Sequence, residues 1–179
     1  MNTAKKIFSL LIAVAVLLTV NVSTCDAIAF YGTTEQFLKP GYRVQKAFVE
    51  DIFFESGKYI SIHIEKQNVI EVDSPRDFYG YVIEIAQLTE QEPFDIKSIL
   101  IMSEFDSIEI DASKANRNSG LEFVTDTINY FYDPGKINCV ISSAAYRMLI
   151  KITTTDDKEY DLYPTSQFID YAKRVADWR

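Results

Sequence analysis

Polar and apolar residues alternate most cleanly between Lys58 and Glu65, where Ser61 and His63 separate Ile60, Ile62 and Ile64. A period of two is that of a strand with one buried face. Tyr42 to Phe54 is a second strand-like run, and Glu55, Ser56 and Gly57 between the two predict a hairpin turn. Val69 to Val72 adds a shorter third strand, while Pro40 and Gly41 mark the lead before the hairpin.

The period then changes. Ser74, Pro75 and Asp77 have the chemistry of a helix start, with Ser74 as cap, Pro75 in the first turn and the Asp77 charge beside the free amides. Phe78, Tyr81, Val82, Ile85 and Ala86 follow at i, i+3, i+4, i+7 and i+8, which predicts one apolar helical stripe over 78–88. Gly80 and the β-branched residues in the same run argue for a strand. At the end of the chain Phe168, Tyr171, Ala172, Val175 and Ala176 repeat the spacing, with Thr165 or Ser166 as cap and Lys173 and Arg174 toward the C-terminal end.

Shifting the first stripe by 90 positions superposes it on the second, and Ile60 and Ile62 then fall on Ile150 and Ile152 in a strand from Met148 to Thr154. A turn at Thr155 to Lys158 and a strand through Tyr160 and Leu162 lead into the last helix. At half that offset Ser119 with Glu122 forms a capping-box pattern and Leu121, Val124, Ile128 and Phe131 a helical stripe, with strands expected at Ile96 to Met102 and Ser107 to Asp111. Asp126 and Thr127 interrupt the apolar columns there, so this unit is the weakest match. The expected fold is α+β: antiparallel β-hairpins each followed by a capped amphipathic helix. Two related units (42–88 and 136–178) and a weaker third (94–132) would pack as one sheet with helices on a face.

The N-terminus changes where this domain is expected to act. Lys5 and Lys6 precede an apolar region from Ile7 to Val20, the pattern of a secretory signal peptide. The region is short of the roughly 20 residues a membrane-spanning helix needs. Ala27, Ile28 and Ala29 supply the small-x-small cleavage pattern, so residues 1–29 are expected to be removed and 30–179 to form a single domain starting at Phe30. The alternative is a lipid anchor at Cys25, since Val22, Ser23 and Thr24 loosely resemble a lipobox. After cleavage Cys139 is the one cysteine left, which excludes an internal disulfide. Its neighbours Ile137, Val140 and Ile141 predict a buried thiol.

The chain has a net charge of −8; losing Lys5, Lys6 and Asp26 leaves 16 basic against 25 acidic residues, a net −9. With no cluster of Lys or Arg, nucleic acid and anionic membrane surfaces are disfavoured partners. Catalytic chemistry is equally sparse. His63 is the lone histidine and falls on the polar side of its strand, and no serine has a G-x-S-x-G context. No glycine-rich phosphate loop is present, and one His with one Cys makes no zinc site. Asp156, Asp157, Glu159 and Asp161 are acidic but lack calcium-loop spacing, so they are read as a turn and the outer face of a strand. No catalytic, cofactor-binding or metal-ligating residue is therefore assigned.

What the composition does supply is 11 Tyr and 12 Phe. Tyr31, Tyr42, Tyr59, Tyr79 and Tyr163 fall off the core stripes or near element ends, where tyrosine serves binding surfaces. The expectation is an exported, non-enzymatic binding or interaction domain with a protein or glycan partner. Its rivals are a secreted hydrolase using a carboxylate pair and an envelope lipoprotein anchored at Cys25.

Overall fold

In a computed structural model, which describes residues 29–39, 42–71 and 78–178, Ile60, Ile62 and Ile64 lie on the buried face of a strand, β3 (Lys58–Glu71). β3 pairs antiparallel with β2 (Tyr42–Glu55) across the expected hairpin. Ser56 and Gly57 take φ of 52° and 77°, the two positive values that a two-residue turn needs to match the strand twist. β1 (Phe30–Lys39) adds to the free edge of β2. There Gly32 stands opposite Phe48, and a Cβ would come within 2.5 Å of that ring, so glycine lets the aromatic lie across the edge strand.

The first sheet continues through β4 (Phe78–Leu88), β8 (Phe123–Tyr130) and β7 (Asn116–Ser119), in the order β1-β2-β3-β4-β8-β7. A second sheet has the order β10-β9-β5-β6, built from β5 (Ile96–Ser103), β6 (Ser107–Asp111), β9 (Met148–Thr154) and β10 (Glu159–Leu162). All pairings are antiparallel. Two α-helices, α1 (Pro134–Ser143) and α2 (Ser166–Asp177), pack on each other, α1 reaching β4, β5 and β6 and α2 reaching β1, β2 and β3. Inner-face residues of both sheets and the buried sides of both helices form one hydrophobic cluster, which includes Ala29. Among the described residues no helix is long and apolar enough to cross a membrane.

The chain is thus mostly β, and the expected hairpin-plus-helix units packed as one sheet are not what forms. The segment 78–88 is strand β4: Tyr81, Ile83, Ile85 and Gln87 share the inner face while Val82 and Ala86 face outward. Because Val82 on the outer face is buried like Tyr81 and Ile83 beside it, the apolar residues of this run also fall at helical spacings. The conflict is settled by ladder bonds to β3 on one side and β8 on the other, helped by Gly80 and the β-branched residues that a helix disfavours. Segment 121–132 is corrected in the same way. Asp126 faces the Ile85 side of β8, and Ser119 to Glu122 form the β7–β8 turn instead of a capping box. The proposed cap at Ser74, Pro75 and Asp77 lies outside the described residues. The echo between the two stripes therefore joins a strand to a helix and does not mark repeated architecture.

Helix α2 forms where its stripe and cap placed it. Thr165 accepts the Phe168 amide at 3.1 Å, and Phe168, Ile169, Ala172, Val175 and Ala176 are buried. Two charged residues on the inner face of the first sheet meet its two ends. Lys66, continuing the register of Ile62 and Ile64, donates to the carbonyls of Ala176 at 2.6 Å and Trp178 at 2.9 Å. Asp51 on β2 is wholly buried beside Thr165, and its Oδ1 accepts the Ile52 amide at 2.8 Å while Oδ2 completes no hydrogen bond. Negative charge at the start and positive charge at the end both oppose the helix dipole.

Burial pushes the Asp51 pKa above its ordinary value of 3.8, although the Ile52 and Thr165 groups pull it down. The folded chain then holds this proton more tightly than the unfolded chain does, so Asp51 lowers stability as pH rises from 3.8 through the raised folded value. Asp51→Asn removes the titration and keeps one acceptor. Relative to the parent, it is expected to gain stability between acid and neutral pH, read as urea midpoints. Midpoints that move in parallel at every pH would reject this role.

Candidate functional site

At one end of the second sheet the outer face changes from charged to apolar. Met102 on β5 pairs with Leu149 on β9, and Tyr163 and Pro164 leave β10 beside them. Tyr146 and Arg147 approach from the α1–β9 connection, and together these residues line an open groove of about 490 Å³. Tyr146 is 88% exposed and Tyr163 70%, so both rings are presented to solvent.

The groove wall is braced from below. Glu104 on the β5–β6 turn accepts the amides of Ala145, Tyr146 and Arg147 at 3.0, 2.8 and 2.6 Å. These amide hydrogen bonds, led by that of Tyr146, hold its carboxyl at a pKa of about 2 despite the opposing desolvation. Ser103 joins the same brace: its hydroxyl is 2.7 Å from that of Ser143 and accepts the Asp106 amide at 3.1 Å. Ser103 and Glu104 are therefore engaged in positioning the loops of the groove. The Arg147 side chain differs in being exposed and in no ion pair among the described residues.

The residues singled out from sequence are scattered. Cys139 is exposed on α1, a correction to the expected buried thiol: Ile137, Val140 and Ile141 take the buried side and leave Cys139 on the opposite one. His63 lies on the outer face of the first sheet, stacked on Phe48 at 4.9 Å with Nε2 3.8 Å from Glu65. Helix α1 packs on the inner face, where Asn138 accepts the hydroxyl of buried Tyr81, so the sheet separates His63 from Cys139. Glu65 is half-buried, which raises its pKa, but hydrogen bonds from His63 and Gln67 and the Lys46 ammonium at 3.0 Å bring it down to about 2.

The four acidic residues of and after the turn pair with three lysines, two of them on neighbouring strands. Asp157 pairs with Lys97 at 2.6 Å, Asp156 with Lys158 at 2.7 Å, and Glu159 and Asp161 share Lys151 at 2.6 and 3.6 Å. Among the described residues no group of three or more His, Cys, Asp or Glu is placed to hold a metal ion. Of the flagged tyrosines, Tyr163 is on the groove, Tyr59 lies in an aromatic row on the first sheet, Tyr31 packs on Tyr171 at 5.7 Å and Tyr79 lies under Lys66 at 4.9 Å. The side chain of Tyr42, like all of Cys25, lies outside the described residues. Met102, Tyr146, Arg147 and Leu149 carried no sequence signal, because each is unremarkable until β5, β9 and the α1–β9 connection meet. No family model, no curated protein and no solved structure matches the chain.

Proposed function

We propose that the chain is an exported interaction domain whose groove takes an apolar segment of a protein partner. The observation that carries this reading is the exposure of Tyr146 and Tyr163 beside Met102, Leu149 and Arg147 on a braced wall. Met, Tyr and Arg are the residues enriched where protein partners meet, and Tyr and Arg dominate binding energy there. The apolar part of the lining, Met102, Leu149 and Pro164, favours an apolar protein segment over a glycan. Export rests on the pattern of Lys5, Lys6, the Ile7–Val20 region and Ala27-Ile28-Ala29.

The test uses the secreted chain from its own organism, whose intact mass is measured first and is expected to show a start at Phe30. A diacylated Cys25 as first residue would replace free export by anchoring. Immobilised, the chain should retain a partner from envelope extract. Met102→Asp combined with Tyr163→Ala should weaken that binding by at least about tenfold, a typical loss for interface anchors. Equal retention by parent and variant, or none by either, overturns the proposal.

A further inference from the structure

A second apolar surface lies on the other sheet, at the end where three turns meet. The β2–β3 turn, a 3-10 turn at Thr89–Gln91 and the β7–β8 turn are tied together: Thr89 donates its amide to the Glu122 carbonyl at 2.8 Å, and Tyr59 donates its amide to the Gln91 side chain at 2.7 Å. Lys58 donates to the backbone carbonyls of Gln91 and Glu92. The end of the sheet is therefore a fixed platform.

Register decides what it displays. Phe54 is opposite Tyr59 and Leu88 is opposite Phe123, all on the outer face. Phe54 meets Tyr59 edge-on at 5.6 Å, and Tyr59 reaches Phe123 at 5.8 Å, giving one aromatic row across the sheet. Phe54 is 69% exposed and Leu121, at the tip of the β7–β8 turn, is 100% exposed. A leucine held wholly in water contributes nothing to the fold, and contiguous apolar exposure of this kind marks interaction sites.

The rim defines the partner. Glu90 and Glu122 stand at the Leu88–Phe123 end of the row, and neither is ion-paired among the described residues. The neighbouring cation, Lys58, directs its ammonium to main-chain carbonyls. Glu90 and Glu122 also line, with Leu88 and Leu121, a hollow of about 290 Å³. An apolar floor with unpaired carboxylates beside it is complementary to an apolar side chain flanked by cations. We infer that this end of the first sheet docks a basic peptide segment, with an aromatic or leucine anchor on the Phe54–Tyr59–Phe123 row and lysine or arginine on the glutamate rim. The surface is on the opposite sheet from the groove, so its failure leaves the groove proposal standing and the reverse holds as well.

The probe is an amidated peptide of sequence Lys-Arg-Phe-Leu-Lys-Arg, titrated into the full chain and followed by amide chemical shifts and calorimetry. Two control peptides carry Glu for every Lys and Arg, or Ser for Phe and Leu. Binding should be confined to the basic, apolar peptide, move the amides of residues 54–59, 88–92 and 120–123, and weaken as salt is raised. Glu90→Lys with Glu122→Lys, and separately Leu121→Ser with Phe54→Ser, should each weaken it by about tenfold. These positions are on the surface, and unchanged circular dichroism confirms the fold. Equal binding of either control, shifts mapped to another surface, affinity indifferent to the substitutions, or no binding overturns the inference.

Discussion

Phe168→Ala is expected to lower the stability of the fold by about 3–5 kcal/mol, the range for truncating a well-packed buried phenylalanine. Phe168 has no solvent exposure, and it sits in the first turn of α2, where its amide is also the group that Thr165 caps. Its ring belongs to the cluster shared by both sheets and both helices, so a cavity there cannot be filled by moving one element. For a chain of this length a loss of that size lowers the melting temperature by about 10 °C. Urea unfolding with an unchanged m-value measures it, and a loss under about 1 kcal/mol would remove Phe168 from the core.

The second large effect falls on a charge. Lys66→Met retains most of the buried stem and removes the ammonium that serves the carbonyls of Ala176 and Trp178. Two carbonyls at the end of a helix lose a charge-assisted partner and the dipole loses its counter-charge, while the cost of burying the ammonium is relieved. The expected net loss is about 2 kcal/mol, accompanied by faster hydrogen exchange of the last-turn amides of α2 than of its first turn. Unchanged stability with unchanged exchange at that end would show that Lys66 does not hold the helix. Asp51 is the counterpart at the other end, so the ends of α2 respond to different variables, one to the loss of a cation and the other to pH.

The two proposed surfaces belong to different sheets and differ in character. The groove joins an arginine with no ion pair among the described residues to tyrosine and methionine, whereas the aromatic row ends at Glu90 and Glu122. Outcomes for Met102 and Tyr163 on one side, and for Leu121 and Glu122 on the other, separate the two roles.

Local pattern determined a good part of this molecule. The alternation of Ile60, Ile62 and Ile64, the turn at Ser56 and Gly57, the strands at 107–111 and 148–154, and the Thr165 cap before the Phe168 stripe all form where the sequence placed them. Each has a single period and its own punctuation, so neighbours had nothing to decide. Helix α1 was less legible: Pro134 fits a helix start, but a ten-residue element with Ile137, Val140 and Ile141 also reads as a strand, and Cys139 went to the opposite side from them. For 78–88 and 123–130 two periods fit the same residues, and the hydrogen bonds of β3, β4 and β8 chose the strand. Those bonds join positions far apart in the chain, which no local window contains. The burial of Asp51 and Lys66 was decided in the same way, because a charge enters a core where a distant helix end receives it. The groove and the aromatic row are likewise products of register: sequence supplied their tyrosines, phenylalanines and glutamates, and strand pairing determined which of them share a face.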